Sequence, residues 1–231
     1  MPFFASNIYR LSYMLTFTII RHAESVGNVN HHLVGGRSNH YPLTDRGRRQ
    51  AHSLGKRLHA EDCHFDEVHA SIALRAQETA QISTSYLSFP QESIQLTDEI
   101  VEISQGNWEG QIRKEVYNEE MRTKLLADNY NFKAPGGESQ KEVEERMEAW
   151  FKKQIEAWDG ESNKSIGVYS HGFAIKSFVR RVMGSDYLMT LRTVIHNTSI
   201  TILQYNKRGY LLERVNDHQH ILGEDFIGHY G

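Results

Sequence analysis

The 231-residue sequence has little cysteine, no long apolar run and no strong excess of charge. Its single cysteine, Cys63, excludes an internal disulfide, which suits a reducing compartment. No apolar run approaches the roughly 20 residues that a membrane-spanning helix needs, so no membrane partner is expected. A formal net charge of −3 gives no general attraction to nucleic acid. Any anion must therefore be bound by a local cluster of positive groups.

The start of the chain also lacks a targeting signal. The stretch MPFFASNIYRLSYM has neither the basic region nor the sustained apolar region of a secretory signal. We therefore expect a cytoplasmic protein. Residues 1–13 are expected to form an N-terminal extension and residues 14–231 a single domain, because no segment rich in proline, glycine or serine divides the chain.

Apolar residues make up 39% of the chain and alternate between strand and helix patterns. Short apolar runs predict strands at 15–20, near 66–71, at 94–96 and at 164–170, and a terminal hairpin turns near 206–209. Helical patterns lie between these strands, the clearest of them over residues 136–158, where Ser139 and Glu142 form a capping box. This alternation predicts an α/β fold, a three-layer α/β/α sandwich with a mostly parallel central sheet.

Two of the predicted strands end next to a histidine. Arg21 and His22 follow the first strand directly, and Ser170 and His171 follow the strand KSIGVYS. In open α/β sheets ligands bind beyond the carboxyl ends of the strands, so the two histidines are candidates for one pocket. His171 also begins a helix, where free backbone N–H groups favour an anion.

Each candidate for a functional role can also be explained by an ordinary structural role. His22 is either a solvated histidine at a strand end or a nucleophile that can attack phosphorus, with Arg21 holding the phosphoryl oxygens. His171 is either a helix cap or part of an anion site, and Arg75 is either a surface residue at a helix start or a second phosphate clamp. Glu102, between apolar neighbours, is either a loop carboxylate or a general acid.

The sequence gives little support for a metal site or a nucleotide-binding site. The histidines at 31, 32 and 40, and those at 218, 220 and 229, lack partners at the spacing of a metal site. Neither a Walker loop nor a dinucleotide-binding glycine fingerprint is present. We expect no metal and no cofactor.

Six stretches together resemble a known family. In order, RHAESVGN, PLTDRGRRQA, SIALRAQETA, EISQGNWEG, YSHG and NTSITIL are similar to the successive motifs of the histidine phosphatase superfamily, which is phosphoglycerate mutase-like in fold. The resemblance covers about residues 15–222 and favours the phosphatase branch. One departure is Ala23, where the commonest form of the motif has glycine, and another is Ala73, where leucine is frequent.

The resemblance implies roles for seven residues. His22 matches the nucleophile that is phosphorylated, and Glu102 matches the proton donor of the phosphatase branch. The remaining matches are to groups that hold the phosphate: Arg21, Asn28, Arg75, His171 and Thr198. On this basis the protein is expected to be a metal-independent phosphoric monoester hydrolase acting on a small phosphorylated metabolite.

Three functions stay open at this point. The first is this phosphatase, the second is a phosphoglycerate mutase, and the third is a catalytically silent binding protein on the same fold. The substrate is expected to depend on a lid at about 103–136 and on the loop 28–42, whose histidines either contact a second anionic group or are solvated. Four lid residues either line the site or serve in packing: Arg113, Tyr117, Tyr130 and Phe132. The oligomeric state cannot be read from the sequence.

Overall fold

The computed structural model describes residues 13–222, so most of the predicted extension lies outside the described residues. Within that range the chain forms one sheet of six strands. Their bounds are β1 Leu15–Arg21, β2 Glu67–Ser71, β3 Gln95–Thr97, β4 Lys164–Ser170, β5 Ile200–Asn206 and β6 Gly209–Asp217. The strand order is β3-β2-β4-β1-β5-β6, in which only the pairings of β5 are antiparallel. The predicted strands and the terminal hairpin are confirmed.

Eight α-helices accompany the sheet within the described part of the chain. Thr44 caps the second of them, its hydroxyl accepting from the Gly47 N–H, and the predicted box of Ser139 and Glu142 caps the longest. The bounds are α1 Val26–Val29, α2 Asp45–Ala60, α3 Leu74–Thr84, α4 Arg113–Val116, α5 Glu119–Ala127, α6 Gln140–Ala157, α7 Gly172–Val182 and α8 Met189–Arg192. None of the helices in residues 13–222 is long and apolar enough to cross a membrane.

The helices cover both faces of the sheet. Alternate side chains of a strand point to opposite faces, and β1 shows this directly. Phe17 packs with Phe151 of α6 and Phe178 of α7 in one core, while Ile20 packs with Leu54 of α2 in a second core. The predicted three-layer sandwich with a mostly parallel sheet is therefore confirmed.

Helix α2 lies against the segment that follows β1. The backbone N–H of Thr44 donates to the Glu24 carbonyl at 3.0 Å, and Arg46 forms an ion pair with the Glu24 carboxylate. A Cβ added at Gly47 would lie 1.9 Å from the Glu24 carbonyl oxygen. Because this contact is to backbone, glycine is what lets the helix approach the chain just beyond His22.

We expect Gly47→Ala to lower the free energy of unfolding by about 1–3 kcal/mol, since the added methyl group overpacks a backbone contact. Urea denaturation of the two proteins measures the change. Lys56→Ala, on the exposed face of the same helix, is the matched control and should be nearly neutral. Equal stability of Gly47→Ala and the wild type would show that the helix can move away at no cost.

Candidate active site

The register of two parallel strands brings the two histidines together. Arg21 at the end of β1 pairs with Ser170 at the end of β4, and the His22 N–H donates to the Ser170 carbonyl at 2.9 Å. His22 and His171 follow these paired positions, and the centroids of their rings are 5.0 Å apart. The prediction that both histidines belong to one site is therefore supported by the placement of the strand ends.

The hydrogen bonds of His22 decide which ring nitrogen can react. Its Nδ1 lies 2.6 Å from the Ala23 carbonyl, which can only accept, so Nδ1 carries the proton. The lone pair is then on Nε2, to which Arg75 Nε donates at 3.2 Å. Burial, with the charges of Arg75 and Arg21, holds the pKa of His22 well below its ordinary value. The imidazole is consequently neutral, with a nucleophilic nitrogen beside a guanidinium.

Arg75 is fixed by backbone carbonyls instead of by a carboxylate. It stands in the first turn of α3, only 5% exposed, and donates to the carbonyls of Gly36, Arg37 and Ser38 at 3.0–3.3 Å. Burial lowers its pKa to about 10, which leaves it charged at neutral pH. Since its partners are uncharged, its positive charge remains available to an anion.

The loop that holds Arg75 is itself tied to the lid segment by one carboxylate. Glu109 accepts the backbone N–H groups of Arg37, Ser38 and Gln105, each at 3.0 Å. The positions of loop 36–38 and of the start of the lid are therefore set by the same side chain.

Arg21 provides the second guanidinium. It donates to the Ile195 carbonyl at 2.6 Å, and its buried Nε has no hydrogen-bond partner in the protein. The guanidinium packs against Gly172, where an added Cβ would lie 3.2 Å from Nε. Glycine at the start of α7 thus leaves room for the arginine beside the histidines.

His171 is fully buried. Its Nε2 lies 2.8 Å from the hydroxyl of Ser71, at the end of β2, while Nδ1 has no partner in the protein. Burial, then the charge of Arg75, holds its pKa well below the ordinary value, so the ring is neutral. With Ser71 occupying Nε2, Nδ1 is the ring atom left for a ligand. Ser71 was not identified from the sequence, where it is one of many serines.

Glu102 lies in a loop and reaches the start of α7. Its carboxylate accepts the N–H groups of Ile103, Phe173 and Ala174 at 3.0–3.1 Å. Two of these donors belong to the first turn of the helix, whose positive end favours a carboxylate. The side chain also lines the same cavity as His22, so the one lone pair that remains, on Oε2, can take up or give a proton to a ligand there.

Asn28 and Thr198, the other two residues predicted to hold the phosphate, are placed differently from each other. Asn28 lines the cavity, and its Oδ1 accepts from the Ser25 N–H at 3.0 Å, which leaves its amide nitrogen as a donor. The Thr198 hydroxyl instead donates to the Asn197 carbonyl at 2.7 Å and lies 3.0 Å from His220 Nε2. Thr198 contributes its backbone N–H, which donates to the Arg21 carbonyl at 3.0 Å.

The cavity that these groups line has a volume of about 460 Å³. Lys176 of α7 also lines it, and burial lowers the pKa of Lys176 while Glu102 opposes the effect. Lys176 was not identified from the sequence, although it lies one helical turn beyond Gly172 on the same face. His31 and Arg113 line the cavity as well, so the loop and the lid both contribute. Tyr130, another of the four lid residues named above, instead packs on Tyr187.

Within residues 13–222 there is no group of three or more histidine, cysteine, aspartate or glutamate side chains placed to hold a metal ion. Two guanidinium groups and a lysine can bind a phosphoryl group, and a neutral imidazole can attack it.

The chain matches a known protein family. The family described as Histidine phosphatase superfamily (branch 1) matches residues 17–218. A "Probable phosphoglycerate mutase GpmB" of Salmonella choleraesuis is 25% identical over 215 residues, which is 90% of this chain and 95% of that protein.

Solved structures show the same fold. YhfR of Bacillus stearothermophilus superimposes with a TM-score of 0.77 at 25% identity, covering 90% of this chain and 99% of that one. A phosphoglycerate mutase of Bacillus anthracis does so with a TM-score of 0.75 at 23% identity, covering 91% and 96%. The expected phosphoglycerate mutase-like fold is confirmed.

The two neutral histidines predict an acid-sensitive fold. The unfolded chain protonates a histidine near pH 6.5, whereas folded His22 and His171 stay neutral to lower pH, so unfolding takes up protons below about 6.5. We expect each histidine to cost about 1.4 kcal/mol of stability at pH 5.5 relative to pH 8. Urea denaturation at both pH values measures this. His22→Gln and His171→Gln should each lose less stability than the wild type on acidification. An unchanged loss in both variants would contradict the conclusion that the two folded histidines are neutral.

Proposed function

The chain belongs to the histidine phosphatase superfamily, whose members are phosphatases or mutases, and on that premise we propose that it is a metal-independent phosphomonoesterase. It hydrolyses a small phosphorylated metabolite through a phosphohistidine intermediate on His22. The observation that carries the proposal is the orientation of His22, whose Nδ1 is held by the Ala23 carbonyl and whose Nε2 lies beside Arg75 in a cavity.

The first half of the reaction transfers the phosphoryl group to the enzyme. The substrate phosphate binds among Arg21, Arg75 and His171, whose donors offset its negative charge. The lone pair of His22 Nε2 attacks phosphorus, the N–P bond forms, and the bond from phosphorus to the alcohol oxygen breaks. Glu102 gives its proton to that oxygen, so the alcohol leaves neutral.

The second half returns the enzyme to its starting state. A water molecule attacks the phosphorus of phosphohistidine while Glu102 accepts the proton of the water, and the N–P bond breaks. Phosphoryl transfer needs mainly positioning and charge stabilisation, which the buried guanidinium groups supply without a metal ion. Since His22 reacts as the neutral base and Glu102 as the acid, we propose that the rate is highest in mildly acidic to neutral conditions.

The mutase alternative rests on the relative named as a probable phosphoglycerate mutase. Hydrolysis is favoured by the GNWEG and APGGES stretches, which are similar to the phosphatase branch. The cavity also has room for water beside a bound phosphate, because about 460 Å³ is many times the roughly 30 Å³ of one water molecule. A phosphoenzyme in such a cavity is open to hydrolysis.

We expect His22→Ala to lower phosphate release from a generic phosphomonoester by a factor on the order of 10³ or more, since the nucleophile is removed. A chelator should leave the wild-type rate unchanged. Colorimetric phosphate assays measure both. His64→Ala, which changes an exposed histidine, is the matched control and should retain full activity. Undiminished release by His22→Ala, or loss of wild-type activity with the chelator, would refute the mechanism.

Incubation with 3-phosphoglycerate separates the two enzyme classes. We expect whatever substrate is consumed to be recovered as free phosphate and glycerate, because water reaches the phosphoenzyme. Phosphorus NMR of the mixture distinguishes phosphate from 2-phosphoglycerate. Accumulation of 2-phosphoglycerate without free phosphate would assign the protein to the mutases instead.

A further inference from the structure

A second cavity lies under the lid. Its volume is about 400 Å³, and its wall is largely apolar. We call it the lid cavity, and six of its lining residues supply the apolar and aromatic surface: Ile103, Tyr117, Leu125, Phe132, Phe173 and Leu191. A wall of this kind suits the body of an organic ligand better than a small ion.

The lid cavity adjoins the site that contains His22. Arg113 lines both cavities, and a smaller one of about 160 Å³ between them is lined by Glu102, Ile103 and Arg113 among others. Glu102 therefore stands where the two spaces meet. In the proposed reaction Glu102 protonates the leaving oxygen, so the alcohol part of the substrate must lie on the Glu102 side of the phosphate. The lid cavity is the space on that side.

Two buried amides of this cavity have atoms without partners. Asn129, in the turn after α5, is 4% exposed, and neither its Oδ1 nor its Nδ2 has a hydrogen-bond partner in the protein. Gln140, 2% exposed, donates to Thr190 Oγ1 at 2.8 Å, but its Oε1 also lacks a partner. A buried amide without partners destabilises the fold. Since each of these atoms exposes less than 1 Å² to water, the two side chains can contact a ligand in the cavity only after they rotate towards it.

The cations of the lid cavity differ from these amides in exposure, while the partly buried carboxylate of Glu138 in its wall is paired with Arg146. Arg113, Arg122 and Lys133 are all exposed, so the cations lie at the rim. The polar groups that are out of contact with water are the uncharged side chains of Asn129 and Gln140. After such a rotation, the two amides suit an uncharged group that both donates and accepts hydrogen bonds, such as a hydroxyl.

We infer that the lid cavity binds the alcohol part of the substrate, and that this part is a bulky, mostly apolar or aromatic group carrying an uncharged hydroxyl or amide. Asn129 and Gln140 recognise that polar group, and the aromatic wall holds the body. The inference rests on the proposed phosphatase function and narrows its substrates. It disfavours short acidic alcohols such as glycerate, whose carboxylate would find no buried cation in this cavity.

The test compares three esters of primary alcohols: ethyl phosphate, phenethyl phosphate and 2-(4-hydroxyphenyl)ethyl phosphate. Because all three break the same kind of P–O bond, differences in kcat/KM report on binding of the alcohol part. We expect kcat/KM to rise from ethyl to phenethyl to the hydroxylated ester, by on the order of 10-fold or more overall. Equal values for the three esters would overturn the inference while leaving the phosphatase proposal intact.

Asn129→Leu isolates the amide. It should lower the ratio of kcat/KM for the hydroxylated ester to that for phenethyl phosphate, and it should not lower the melting temperature, because it removes a buried group without partners. Asn131→Leu makes the same change at an exposed position of the same turn. It should leave kcat/KM for each of the three esters unchanged. An unchanged ratio in Asn129→Leu would show that Asn129 does not contact the substrate.

A binding measurement keeps the two proposals distinguishable. Calorimetric titration of His22→Ala with ethyl phosphate and with the hydroxylated ester needs no turnover. Tighter binding of the hydroxylated ester supports the lid cavity as its site even if the wild type releases no phosphate, an outcome that would refute only the phosphatase proposal. Equal affinity for the two esters would overturn the inference whatever the enzyme's activity.

Discussion

Two buried guanidinium groups without a carboxylate partner are the feature on which the rest of the site depends. Arg21 and Arg75 donate to backbone carbonyls, which hold them in place without cancelling their charge. Desolvated charge of this kind is costly, and it adds to burial, the larger cause, in lowering the pKa of the neighbouring imidazoles. A bound phosphoryl group offsets that cost. In the proposed function, the same charge therefore gives the site its affinity for phosphate and, together with burial, keeps His22 unprotonated.

Much of this could be predicted from the sequence, for identifiable reasons. The strand before His22 and the strand before His171 are short apolar runs with sharp polar ends, and parallel strand ends meet at one edge of a sheet. Thr198 shows what the sequence pattern could not predict. Its backbone supports Arg21, but its side chain turns towards His220, and no local pattern reveals that choice. Lys176 was missed because an amphipathic helix gives no sign of which polar residue faces a cavity.

The lid was the least predictable part, because its shape comes from long-range contacts. Glu109 shows how these contacts act, since one carboxylate binds the backbone of both the lid and the loop that holds Arg75. The partnerless amides of Asn129 and Gln140 are likewise visible only in three dimensions. Patterns of apolar residues report burial, but they do not report whether a buried polar group has a partner.

The pairing of β1 with β4 also has a consequence for how the chain folds. The paired residues Arg21 and Ser170 are roughly 150 positions apart, so their pairing closes a long loop at a cost in conformational entropy. Contacts of such long range are formed slowly, because the entropy of closing the loop opposes them until the sheet is nearly complete. If the site binds phosphate as proposed, that affinity should be among the last properties to emerge during refolding.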